Sequence, residues 1–170
     1  MKKSLLLLGG ALVLFSNSAF GWGKMGHDAI AYIAECNLTP KAKKTIEKIL
    51  GHSIVYYATW MDEWRAEPGY EHTSAWHTAS VDKNLVYAPR PKGDVIFALE
   101  DAIAKLQDYK QQDDSTVVMS LRCIIHFVGD MHCPVHVKYA DQKSYNVYLN
   151  GDKCSYHNLS LIHISEPTRH

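Results

Sequence analysis

His126-Phe127-Val128-Gly129-Asp130-Met131-His132-Cys133-Pro134-Val135-His136 is the densest run of chemistry-bearing residues in the chain. His126 and Asp130 stand four apart in a segment of helical periodicity, so both project from one helix face about one turn apart. Pro134 cannot continue that helix and lets His136 come round in a different geometry. Imidazole nitrogen and carboxylate oxygen together form a ligand set suited to zinc, and a carboxylate with two oxygens can bridge two metal ions. A helix-borne His/Asp pair by itself is more often just a salt bridge on a solvated face. The rest of the chain decides between the two readings.

Upstream, the spacing predicts a helix over Met25–Glu35 with apolar Ile30, Ile33 and Ala34 on one side. Thr39 caps a second helix, with Pro40 at its first position, Lys41–Leu50 as its body and Gly51 closing it. Ile54–Arg65 reads as one aromatic-rich helix, Glu67–Ala75 as a polar loop and Trp76–Leu85 as extended. An amphipathic helix is expected from Val95 to Tyr109, and another, capped by Ser115, running to about His132. Asn150-Gly151 between Tyr145–Leu149 and Lys153–Tyr156 predicts a hairpin with a type I′ turn. The fold class is therefore all-α with a minor β-hairpin.

The ends of the chain are read separately. Lys2 and Lys3, the apolar run Leu5–Phe15, and small residues at Ala19 and Gly21 form a secretory signal with cleavage before Trp22. An N-terminal membrane anchor is the alternative, for which the run is short. The mature chain is then expected to be soluble and secreted or periplasmic, without stable membrane association. Leu159-Ser-Leu-Ile-His-Ile-Ser-Glu-Pro-Thr-Arg169 looks like the translation of a transposase-type sequencing adapter, so 159–170 is set aside and 22–158 is read as a partial domain. His163 and His170 thereby lose any claim as ligands.

Composition narrows the chemistry. The full chain carries 18 basic and 18 acidic residues; without Lys2, Lys3, Arg169 and Glu166 the balance is 15 to 17. A protein that holds nucleic acid mainly through phosphate electrostatics is normally basic. If this one handles phosphates, bound metal must supply the positive charge. Eight of the ten histidines lie in 22–158. Cys36, Cys123, Cys133 and Cys154 make disulfides plausible in an exported chain, with all three full pairings open.

Four further stretches set a metal-ligating type beside aromatic or small residues: Trp22-Gly-Lys-Met-Gly-His27, Thr59-Trp-Met-Asp62-Glu-Trp-Arg65, Trp76-His77 and Tyr156-His157. A lone buried imidazole is usually a hydrogen-bonded core residue. Several in one small domain are harder to satisfy singly, and shared metal ions would relieve the cost. In the order W-G-x-x-G-H, D-x-x-R, W-H, H-F-x-G-D-x-x-x-P-x-H and a later His, the chain resembles the trinuclear-zinc nuclease family of the S-one/P-one type. The resemblance covers Trp22 to His157.

Carried over by position, it implies three zinc ions. One would be held by Asp62, His77, His126 and Asp130. A second would use Asp130 again, His27, and the amino nitrogen and carbonyl oxygen of Trp22. The third would use His136, His157 and an aspartate at 161, where this chain has Leu161. The third site is therefore expected to be incomplete and this chain impaired. The resemblance further implies an exported phosphodiesterase (an endonuclease) that hydrolyses single-stranded RNA or DNA, with 3′-nucleotides as a further substrate class, and acts as a monomer. A hydroxide bridging two close zinc ions would attack phosphorus. Asp62, Arg65 and Asp130 are the catalytic candidates, Arg65 matching the family's phosphate-contacting arginine; a salt bridge within its helix is the plainer alternative. The related zinc-dependent phospholipase C enzymes and a non-catalytic zinc-binding remnant are the competing readings.

One departure stands out. The family commonly has a base-stacking aromatic directly after the His of Trp-His, where this chain has Thr78. Trp64, Tyr70 and Tyr139 are the candidates to replace it. His72 and His132 match no ligand position and are expected to be exposed or beside the ligands.

Overall fold

The computed structural model describes residues 23–140 and 146–155. Five α-helices dominate: α1 (Gly23–Asn37), α2 (Pro40–Leu50), α3 (Trp60–Trp64), α4 (Val95–Gln107) and α5 (Asp114–Met131). Four short strands accompany them: β1 (Ala79–Val81), β2 (Val137–Tyr139), β3 (Asn146–Leu149) and β4 (Asp152–Ser155). This is the all-α class with a small hairpin that the sequence predicts.

Local chemistry sets several boundaries. Thr39 is extended, and its hydroxyl accepts from the Ala42 amide at 3.2 Å; Gly51 closes α2 at φ 80°, its amide donating to the Glu47 carbonyl. Asp94 is fully buried at the N-terminus of α4, where its carboxylate accepts from the Ile96 and Phe97 amides. Asn150 and Gly151 take φ 52° and 91°, the positive pair that a type I′ turn requires, between the antiparallel β3 and β4.

Other boundaries differ from the sequence reading. The cap of α5 is Asp113, whose carboxylate accepts from the Thr116 amide, and Ser115 instead donates to Asp113. Ile54–Arg65 is not one helix. A 3-10 turn (Ile54–Tyr57) and α3 are separated at Thr59, whose φ of −104° and ψ of 4° break the ladder. The Asp62 amide then donates to the Thr59 carbonyl, which leaves the Ala58 carbonyl to a tertiary partner. A 3-10 turn over Glu71–His77 replaces the end of the expected loop and the start of the expected extended run, which shrinks to β1. β1 pairs in parallel with β2, a ladder with no local signal because each strand has three residues. Cys36, Cys123, Cys133 and Cys154 are all free thiols in this structure.

The core lies between α5 and its neighbours. α4 presents Val95, Ala98 and Ala102 at helical spacing, and α3 contributes Trp60 and Met61. Phe127 and Met61 are completely buried. The Arg122 guanidinium of α5 lies over the Tyr57 and Trp60 rings, 4.7 and 4.5 Å from their centroids. No helix among the described residues is long and apolar enough to cross a membrane.

Candidate metal centre

Five elements bring six ligand-type side chains to one buried place. α1 carries His27, α3 carries Asp62, the Glu71–His77 turn ends on His77, α5 carries His126 and Asp130 one turn apart, and the turn Pro134–His136 delivers His136. All six are buried. The expected pairing of His126 with Asp130 is present, and it lies in the interior rather than on a solvated face.

Asp130 is the hub, and its two oxygens look in different directions. Oδ2 lies 2.9 Å from His77 Nδ1 and 3.3 Å from His126 Nε2. Oδ1 lies 3.1 Å from His136 Nδ1 and 3.5 Å from His27 Nε2. Asp62 Oδ1 completes the first group, 3.6 Å from His77 Nδ1 and 3.9 Å from His126 Nε2, and those two nitrogens are 3.1 Å apart. Four bonds of zinc length in a tetrahedron place their donor atoms about 3.3 Å apart. The five distances among Asp62, His77, His126 and Asp130 Oδ2 straddle that value.

The surroundings orient these donors. His126 Nδ1 donates to the Ala58 carbonyl at 2.8 Å, the acceptor released by the break before α3, and this leaves Nε2 aimed at the cluster. His27 stacks flat on His126, ring centroids 4.3 Å apart and planes within 10°. That approach depends on Gly129, since a Cβ there would stand 2.7 Å from His27 Nδ1. Phe127 closes the group on one side, edge-on to the rings of both His77 and His126.

Burial and charge set the protonation states. Burial first, then His126, pushes the His27 imidazole down to about 3 against the opposing pull of Asp130. Burial also lowers His77, though Asp130 opposes it. At His126 burial again disfavours the charged form, but the bond to Asp130, the charges of Asp130 and Asp62 and the Ala58 carbonyl together outweigh it, and the net direction is upward. Burial raises the Asp62 carboxyl above its ordinary value. Burial opposes ionisation of Asp130 too, yet the bonds from His126, His136 and His77 overcome it and hold that carboxyl below the usual range. The result is a carboxylate among imidazoles of which two are kept neutral, the forms that ligate metal.

Hydrogen bonding within the protein does not satisfy this cluster. Both ring nitrogens of His27, Asp62 Oδ2 and His77 Nε2 are buried without a hydrogen-bond partner. Such atoms cost about 1–3 kcal/mol each when nothing pairs them. Two sets of three, His27/His126/Asp130 and Asp62/His77/His126, have ligand atoms mutually within 4.8 Å and could each hold a metal ion. On donor type, spacing and unsatisfied atoms alike, the residues present fit zinc.

Arg65 stands at the rim, half-buried, with Nη1 3.4 Å from Asp62 Oδ1. Trp22 and His157 lie outside the described residues. Trp64 and Tyr70 pack with Trp60, Trp64 stacked on it and Tyr70 edge-on to both. Since Trp60 and Trp64 are one turn apart and Asp62 falls between them, this aromatic group occupies the helix face opposite the cluster. Tyr139 is exposed and pairs with Val81 across the β1–β2 ladder. His72 and His132 are exposed. Sequence reading missed the roles of Gly129 and the Ala58 carbonyl; the glycine inside H-F-x-G-D was the available signal.

The fold and this cluster together define a helical domain built around a shared carboxylate and several histidines. A family profile described as S1/P1 Nuclease matches residues 22–159, and the chain belongs to that family. It is 23% identical over 171 residues to Nuclease S1 of Aspergillus oryzae, covering 91% of this chain and 58% of that protein. It is 28% identical over 130 residues to Nuclease P1 of Penicillium citrinum, covering 68% of this chain and 47% of the relative. Endonuclease 2 of Arabidopsis thaliana is 28% identical over 141 residues, covering 74% and 49% respectively. The chain thus spans about half the length of the curated relatives it matches.

Proposed function

We propose that this chain is the metal-binding part of an exported, zinc-dependent phosphodiesterase that cleaves single-stranded RNA or DNA. The observation that carries the reading is the buried Asp130 carboxylate, whose two oxygens face two different groups of imidazoles. Family membership and relatives named as nucleases and endonucleases support it.

In this reading Asp62, His77, His126 and Asp130 hold one zinc, and His27 and Asp130, with the freed end of Trp22, hold a second. His136 and His157 belong to a third. Bound zinc would supply Lewis acidity that makes water nucleophilic at neutral pH. The chain's own residues do the rest. Asp130 fixes both groups with one side chain, and Ala58 keeps the His126 ring from turning away. Arg65, held beside Asp62, presents its planar fork to phosphoryl oxygens as charge develops there. The role of Trp22 requires a free α-amino group, so cleavage before it belongs to the assembly of the site.

The test is nucleotide release from single-stranded RNA by the mature chain, with zinc and then with a chelator. Chelator-sensitive release supports the reading. Release that persists without metal sinks it. Retaining one extra residue before Trp22 is expected to lower both zinc content and activity, and full activity in that version removes Trp22 from the ligand set.

A further inference from the structure

The segment that carries His77 is tied down by a residue outside the cluster. His77 ends a 3-10 turn and Thr78 is already extended at φ −142° and ψ 151°, so the chain changes conformation at this corner. Arg90 Nη2 donates to the Ala75 carbonyl at 2.9 Å, to the Thr78 hydroxyl at 2.9 Å and to the Thr78 carbonyl. These acceptors bracket His77 on both sides. The Val95 amide adds a longer bond to the same Thr78 carbonyl, joining this corner to the start of α4.

We propose that Arg90 is the positioning residue for His77, holding its backbone from both sides so that Nδ1 faces Asp130. The inference rests on the reading of His77 as a metal ligand. Thr78 is part of the device. Its hydroxyl accepts from the guanidinium, which the aromatic common at this position in the family cannot do. One hydrogen-bonded corner thereby stands where relatives of this type present a ring. Arg90 acts through the Ala75 and Thr78 carbonyls and the Thr78 hydroxyl, none of which belongs to a ligand side chain. A planar guanidinium suits the task because a single Nη reaches acceptors on two sides, whereas a lysine ammonium is shorter and less fixed.

The experiment is zinc affinity by competition with a chelating dye, together with the visible spectrum of the cobalt(II)-substituted protein, on the mature chain. Arg90→Met is expected to weaken one zinc by about 10–100-fold, the range for residues that orient ligands. It should change the cobalt spectrum in the same sense as His77→Ala, and Arg90→Lys should restore part of the affinity. Lys92→Met, an exposed neighbour in the same loop, serves as control and should bind as the native chain does. Native zinc affinity and spectrum in folded Arg90→Met overturn the proposal. If Arg90→Met does not fold, Thr78→Val decides, with about 2–10-fold weaker zinc expected from one lost hydrogen bond; unchanged affinity there also overturns it. A full zinc complement in His77→Ala instead overturns the ligand reading beneath the proposal, an outcome that Arg90 cannot produce.

Discussion

Both ends of α5 send side chains into the interior, and the two sets differ in kind. Val117, Ser120 and Cys123 in the first half pack on neighbouring helices, and the Cys123 thiol is pushed up to about 12 by burial. His126 and Asp130 towards its C-terminus are completely buried, in a cluster whose polar atoms are not all satisfied by the protein. Apolar burial stabilises on its own account. Polar burial of the second kind is costly unless something else completes it. The lesson is that exposure alone does not locate the site; unsatisfied donors of ligand type do.

The largest effect should come from the polar half. Asp130→Asn removes the charge from both groups at once and turns the acceptor oxygen facing one of them into an amide donor. We expect loss of zinc from both, and a fall in RNA hydrolysis beyond the roughly 10–100-fold typical of orienting residues. Zinc analysis of the purified variant checks this. In the apolar half, Val117→Ala should lower unfolding free energy by about 2 kcal/mol and leave zinc content unchanged. If both substitutions altered zinc equally, the contrast between the halves would be broken.

Gly129→Ala sharpens the contrast at the smallest structural scale. The added methyl meets His27 Nδ1 at 2.7 Å, and His27 is pinned flat against His126. A destabilisation of about 1–3 kcal/mol and weaker zinc binding are expected. Thermal melts with and without zinc would report both.

Acid should act on the polar half specifically. In the metal-free chain, unfolded His27 takes a proton near its ordinary value of 6.5, while folded His27 takes one only near 3. Between those values the unfolded state binds more protons, so stability falls as pH falls, by at most about 1.4 kcal/mol per pH unit from this residue. His27→Asn should make the denaturant midpoint less sensitive to pH across that window. An unchanged pH slope would show that His27 is not held neutral.

The smallest effect is chemical. Cys36 is exposed while Cys123 and Cys133 are buried, with both buried thiols raised. Alkylation of the native chain should label Cys36 well before either of them. A disulfide-linked peptide in the digest would contradict the free thiols.

Much of this was legible in the sequence, and the pattern of what was not is physical. α2 was written in Thr39, Pro40 and Gly51, and the hairpin in Asn150-Gly151, because caps and turns are local. His126 and Asp130 were legible because helix geometry fixes a four-residue spacing. The break at Thr59 was not, since the benefit of releasing the Ala58 carbonyl is collected by His126, 68 residues away. The β1–β2 ladder and the Arg90 clamp were hidden for the same reason. Where Trp64 lies was hidden too, since its stacking on Trp60 follows from the helix phase of α3 and not from composition.

The most direct test of the central claim compares the native mature chain with Asp130→Asn for bound zinc after equilibration with the metal and removal of excess. The account predicts tightly held zinc in the native chain and its loss from the variant, with both proteins folded by circular dichroism. Equal zinc in the two, or none in the native chain, would contradict it.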